Sequence, residues 1–213
     1  MKAIGVIRFP GTNCDRDVFS WVEAKGLKAQ YLWHLDTFET GNYEALILPG
    51  GFSYGDYLRS GALAALSPAM KSVKQFADYG GPVLGVCNGF QILCEAGLLP
   101  GALVKNENRR FIDDWASLEI VNPAKRFGNQ LKPTHSVRLP IAHGDGRFYA
   151  PKEELQKISD MGQIWLRYKD NPNGSLNHIA GVLNETGNVA GLMPHPERAI
   201  FDWMGGHDGW DFL

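Results

Sequence analysis

The stretch Gly85-Val86-Cys87-Asn88-Gly89-Phe90-Gln91 (GVCNGFQ) puts a thiol where a buried strand ends and a helix begins. Residues 82–86 (PVLGV) read as the strand. Residues 88–96 read as the helix, which Gly97 closes. A cysteine that only fills space prefers the middle of an apolar run. Cys94, further along the same helix beside Ile92 and Leu93, fits that description. Cys87 instead occupies a Gly-x-Cys-x-Gly frame, the pattern of a strand–nucleophile–helix turn. Glycines on either side let neighbouring backbone pass close to a sharp turn. The helix start points unpaired N–H groups at the sulfur and favours a thiolate. The N–H of Asn88, next in the chain, is placed to donate to an oxyanion.

Outward from this turn the chain alternates strands and helices. Residues 2–8 form a buried strand, and Thr12 or Asn13 caps a helix running to about Lys25. Residues 28–33 and 44–48 are strands, and 61–79 a second helix. The pattern predicts an α/β fold: an open, mainly parallel sheet with helices on both faces. The second half adds strands at 116–121, 135–142, 163–169, 179–183 and 189–193, and a short helix at 151–158. No linker or repeat interrupts the chain, so 1–213 reads as a single domain.

The 213 residues are 44% hydrophobic, enough for a full core, and the formal charge of −2 gives no case for nucleic acid or an anionic membrane. Three cysteines without paired spacing argue for a reducing compartment, hence a cytoplasmic location. There is no secretory leader pattern and no metal-ligand spacing of the C-x-x-C or H-x-x-x-H kind.

A cysteine nucleophile needs an imidazole. Of six histidines, His195 stands out in GLMPHPERA (191–199), fixed between prolines after an apolar strand. Glu197, two positions on, can hold its tautomer and stabilise its imidazolium. His143 with Asp145 is the nearest rival, and His178 a weaker one. In LPGGFSYGD (48–56), Gly50-Gly51 lacks the lysine of a phosphate loop. It fits the second half of an oxyanion hole, with the Gly51 N–H facing that of Asn88. Cys14, with no base in sequence reach, reads as structural. The glycine-bearing loop 50–55 is expected to sample many conformations, so that a partner could select the competent one.

With GVCNGFQ and HPE together, the chain resembles the class I glutamine amidotransferases. The blocks FPGTNCDRD (9–17), LPGGFSYGD, GVCNGFQIL (85–93), AHGDGRF (142–148) and AGLMPHPERA (190–199) resemble, within that class, the glutaminase subunits of phosphoribosylformylglycinamidine synthases. The resemblance implies a flavodoxin-like core and a Cys87–His195–Glu197 triad acting through a thioester. It also implies that Gln91 contacts the substrate and that His143 and Gly144 line the amino-acid end of the pocket. It further implies no cofactor in this chain, with ATP and magnesium on a large synthetase subunit that receives the ammonia and a small bridging subunit between them. A glutaminase serving another synthetase, or a cysteine hydrolase or chaperone-like relative of the same fold, are the alternatives.

Overall fold

The computed structural model describes residues 2–213. Its centre is a nine-stranded sheet in the order β2-β1-β3-β4-β11-β10-β9-β6-β7. The strands are β1 (Ala3–Arg8), β2 (Ala29–Trp33), β3 (Tyr43–Leu48), β4 (Val83–Val86), β6 (Ile112–Ile120), β7 (Ser136–His143), β9 (Ile164–Tyr168), β10 (Ile179–Leu183) and β11 (Val189–Leu192). A separate two-stranded antiparallel sheet pairs β5 (Ala102–Val104) with β8 (Arg147–Tyr149). From β2 to β11 the pairings are parallel; from β11 to β7 they are antiparallel. The helices are α1 (Asp15–Ala24), α2 (Ala69–Asp78), α3 (Asn88–Glu95) and α4 (Lys152–Asp160).

The apolar runs explain which strands are central. All four residues of β4 and of β11 are buried, as strands covered on both faces must be. Trp21, Leu48, Leu84, Phe90 and Trp165 are among the fully buried side chains of the core. Because β1, β3, β4 and β11 run parallel, their carboxyl ends share one edge. Strand order reverses between β1 and β3, which is where sheets of this kind open a ligand crevice. The residues after those four ends include Cys14, Gly50, Cys87 and His195.

Two sequence expectations are corrected. The helix expected over 61–79 is a 3-10 turn at Ala64–Leu66 followed by α2. Pro68 is responsible: it has no N–H for a helix interior and drives Ser67 to an extended conformation, φ −65° and ψ 149°. Neither Thr12 nor Asn13 caps α1; the N-cap residue is Cys14, and no side chain bonds the first turn. The Thr12 hydroxyl is already used, accepting from the Phe9 N–H at 3.0 Å.

Candidate active site

Cys87 has φ 51° and ψ −107°, a left-handed conformation that a non-glycine residue holds only when its surroundings enforce it. Its N–H donates to the Leu192 carbonyl at 2.8 Å, which ties the turn to β11. The flanking glycines are required by space. A Cβ on Gly85 would lie 2.6 Å from the Gly89 carbonyl carbon, and one on Gly89 would strike the Leu48 carbonyl oxygen. α3 can therefore start directly against β3 and β4, and the sulfur is turned towards the Ala142 carbonyl, 3.8 Å away.

His195 follows β11, and its N–H donates to the Pro140 carbonyl at 2.8 Å. Its Nδ1 meets Glu197 Oε1 at 2.7 Å, and both residues are 1% exposed. Burial by itself would disfavour the imidazolium. The Glu197 charge, helped by the Cys87 and Cys14 sulfurs, outweighs it and holds the His195 pKa well above the ordinary histidine range. Nε2 has no protein partner among the described residues, so one ring nitrogen is anchored and the other is available.

The Gly50-Gly51 turn packs directly on this pair. A Cβ on Gly50 would be 2.8 Å from His195 Cε1, 3.0 Å from Cys14 Sγ and 3.4 Å from Cys87 Cβ. The latitude expected of this loop is confined. Gly50 accepts from the Cys14 N–H at 3.2 Å, Phe52 and Tyr54 donate to the Gly11 and Pro10 carbonyls, and Ser53 donates to Asn88 Oδ1. Neither the Gly51 nor the Asn88 N–H donates to another protein group among the described residues, as oxyanion donors require. Asn88 continues the chain of bonds: its Nδ2 donates to Gln91 Oε1 at 2.8 Å, and Gln91 Nε2 donates to the Asp145 carbonyl at 2.7 Å. Gln91 thus lines the cleft with its amide held on both sides.

Sequence reasoning missed Cys14 and Arg198. Cys14 is beside the imidazole, and Arg198 Nη2 donates to its sulfur at 3.0 Å, while Arg198 Nε reaches Asp17 at 3.1 Å. The reading of Cys14 as remote from any base is therefore wrong. The contact joins residues 184 positions apart, and no local pattern announces it. Burial, only partly offset by His195, raises the Cys14 pKa and keeps it a neutral thiol. The expected result with a diazoketone analogue of glutamine is a single, glutamine-protectable adduct on Cys87. Peptide mapping that places the adduct on Cys14 or Cys94 would overturn the choice of nucleophile.

Cys87 stands where two small lobes of one cleft meet. One, of about 190 Å³, is lined by Cys14, His195 and Arg198; the other, of about 120 Å³, by Asp56, Gln91, His143 and Asp145. A larger depression of about 740 Å³, bordered by Cys94, Leu98 and Lys157, shares no residue with the cleft and holds no thiol–imidazole pair. Donor atoms of Cys14, His195 and Glu197 lie within 4.8 Å of one another, close enough for a metal ion. All three are already engaged, Cys14 by Arg198 on its sulfur and His195 and Glu197 by their mutual bond, which suits the set to moving protons. Of the rival histidines, His143 lines the cleft, whereas His178 bonds the Tyr168 carbonyl outside it.

A thiol on a strained strand–helix turn, beside an imidazole gripped by a carboxylate, is the equipment of a thiol-dependent α/β hydrolase or transferase. The CobB/CobQ-like glutamine amidotransferase domain matches residues 2–208, and the chain belongs to that family. It is similar to a chain of the PurLQS structure from Thermotoga maritima, with 44% identity, a TM-score of 0.91, and coverage of 100% of this chain and 96% of that one. A glutamine amidotransferase from Thermotoga maritima shares 19% identity over 93% of this chain and 77% of its own, with a TM-score of 0.63. One from Methylobacillus flagellatus shares 18% over 92% and 71%, with a TM-score of 0.55. The last two carry the fold alone. Among the described residues no helix is long and apolar enough to cross a membrane.

Proposed function

We propose that the chain is the glutaminase of an ATP-dependent, cytoplasmic synthetase that makes phosphoribosylformylglycinamidine in purine synthesis. The observation that carries this is the full-length similarity, at 44% identity, to a chain of PurLQS. In the proposed cycle the Cys87 thiolate attacks the side-chain amide carbon of L-glutamine. The Gly51 and Asn88 N–H groups receive the oxyanion. His195, held as imidazolium by Glu197, gives its proton to the departing nitrogen, and ammonia leaves a thioester on Cys87. His195 then takes a proton from water, whose oxygen attacks the thioester carbon; glutamate leaves and the thiol is restored. The ammonia passes to a large synthetase subunit, which binds ATP and magnesium, with a small subunit bridging the two; this chain itself needs no cofactor.

The test is reconstitution with the large and small subunits encoded by the same organism. Expected is glutamine-dependent conversion of phosphoribosylformylglycinamide to the amidine, with one glutamate formed per ATP cleaved. Glutamine hydrolysis without any amidine would assign the chain to a different synthetase.

A further inference from the structure

The segment that follows β3 is built in a conformation that most residues avoid. Gly51 has φ 143°, and beyond it Tyr54, Gly55, Asp56 and Leu58 have φ of 53°, 66°, 55° and 71°. Such backbone persists in residues with side chains only where the surroundings enforce it. Backbone bonds hold one margin of the loop: Gly51 bridges to Thr12, and Phe52 and Tyr54 donate to Gly11 and Pro10. Side chains must hold the other. Ser53 Oγ and Asp56 Oδ1 have no partner among the described residues, and Tyr57 and Leu58 are exposed. The Tyr54 hydroxyl, by contrast, meets His34 Nδ1 at 2.7 Å and Ser67 Oγ at 3.2 Å. The rings of Tyr54 and His34 cross edge to face, with centroids 5.5 Å apart.

His34 is a rigid post for that bond. It is buried and follows β2 directly. Its N–H donates to the Arg8 carbonyl at the end of β1, and its carbonyl accepts from Ala69 at the start of α2, each at 3.0 Å. Phe9 and Trp33 flank its ring, with centroids 6.2 and 4.5 Å away. Ser67, also buried, closes the 3-10 turn that precedes α2. The ends of β1 and β2 and the start of α2 therefore converge on one phenol hydroxyl, three residues from the Gly51 N–H. Neither His34 nor Tyr54 lines either lobe of the cleft, so their bond can reach the reaction only through the loop.

We propose that His34 and Tyr54 are positioning residues for the oxyanion hole: their bond, backed by Ser67, clamps the strained loop so that the Gly51 N–H points at the carbonyl under attack. The proposal rests on the glutaminase reading and deepens it, giving a role to two side chains outside the cleft. Its kinetic signature is a loss in the chemical step. An oxyanion donor acts on charge that develops in the transition state and little on the bound amide.

The experiment measures glutamine hydrolysis by the reconstituted complex, hydrogen exchange of the peptide spanning 51–58, and alkylation of Cys87 by iodoacetamide, which forms no oxyanion. Tyr54→Phe keeps the ring and removes the hydroxyl. It should lower kcat about 10²-fold, the cost of a displacement near 1 Å. KM and the iodoacetamide rate should stay unchanged, and exchange of the loop amides should quicken. His34→Leu should match it, and the double variant should be no slower than either, because two residues acting through one bond are not additive. His34→Asn, which offers a polar atom near the Nδ1 position, should recover most of the rate. Wild-type kcat in Tyr54→Phe overturns the proposal, as do losses that multiply in the double variant. An equal fall in kcat and in the iodoacetamide rate also overturns it, because the bond would then only preserve the shape of the cleft. A wild-type complex that leaves glutamine untouched, while loop exchange still responds to Tyr54→Phe, overturns the glutaminase reading and leaves the clamp standing. Unaltered exchange overturns the clamp whatever the substrate.

Discussion

Replacing Cys87 with alanine lowers glutamine-dependent amidine synthesis by the reconstituted complex on the order of 10⁵–10⁶-fold, as loss of a nucleophile does when its triad acts as a unit. Synthesis from added ammonium salt should remain, because amide hydrolysis and ATP-driven ligation occur in separate subunits in the proposed assembly. The large size of the effect follows from the cleft itself. Cys14 is the other thiol that lines it, and burial holds that thiol protonated. Cys14 also carries the Arg198 guanidinium on its sulfur and lacks the strained backbone that presents Cys87. The measurement is the initial rate with each nitrogen source. Parallel loss of both activities would show that Cys87 supports assembly rather than chemistry.

Gly50→Ala is expected to cost about 10² in glutamine hydrolysis, the penalty of a displacement near 1 Å in a reacting pair. The added methyl would sit 2.8 Å from the His195 ring and 3.0 Å from the Cys14 sulfur. Neither neighbour can move aside freely: His195 is bonded to Glu197 and to the Pro140 carbonyl, and Cys14 opens α1. The loss should fall mainly on kcat, because Gly50 packs on His195, Cys14 and Cys87 and does not line the lobe of Asp56 and Gln91. Gly41→Ala, with open space around its Cβ, is the control and should leave kinetics and thermal stability unchanged. Wild-type kcat in Gly50→Ala would mean that the turn yields and that the tight packing is incidental.

What the sequence revealed and what it hid divide along a physical line. The turn at Cys87 is local: a buried strand, a Gly-x-Cys-x-Gly frame and a helix start carry their own geometry. The His195–Glu197 contact is local too, because two positions fix the reach of one side chain to the other. Contacts that depend on strand order were not legible. β11 lies between β4 and β10, and this placement brings Arg198 to Cys14 and seats His195 beside the end of β4. The helix expected from residue 61 failed because apolar spacing ran on through Pro68, whose missing N–H outweighs periodicity. Of the bonds from Ser53 through Asn88 and Gln91 to Asp145, the last three residues stand out singly in the sequence, yet their partners are set by tertiary packing.

The central position of β11 also sets the order in which the activity can arise during synthesis. Cys87 emerges from the ribosome more than a hundred residues before His195, and β4 has no partner on one side until residues 189–192 arrive. A nascent chain therefore carries a nucleophile without its base, beside an open strand edge that invites pairing with other chains. Inserting β11 closes that edge and delivers the imidazole in the same event. Maturation of the polypeptide and onset of turnover are thereby one step, and a chain stopped short of residue 189 should be both inert and prone to aggregate.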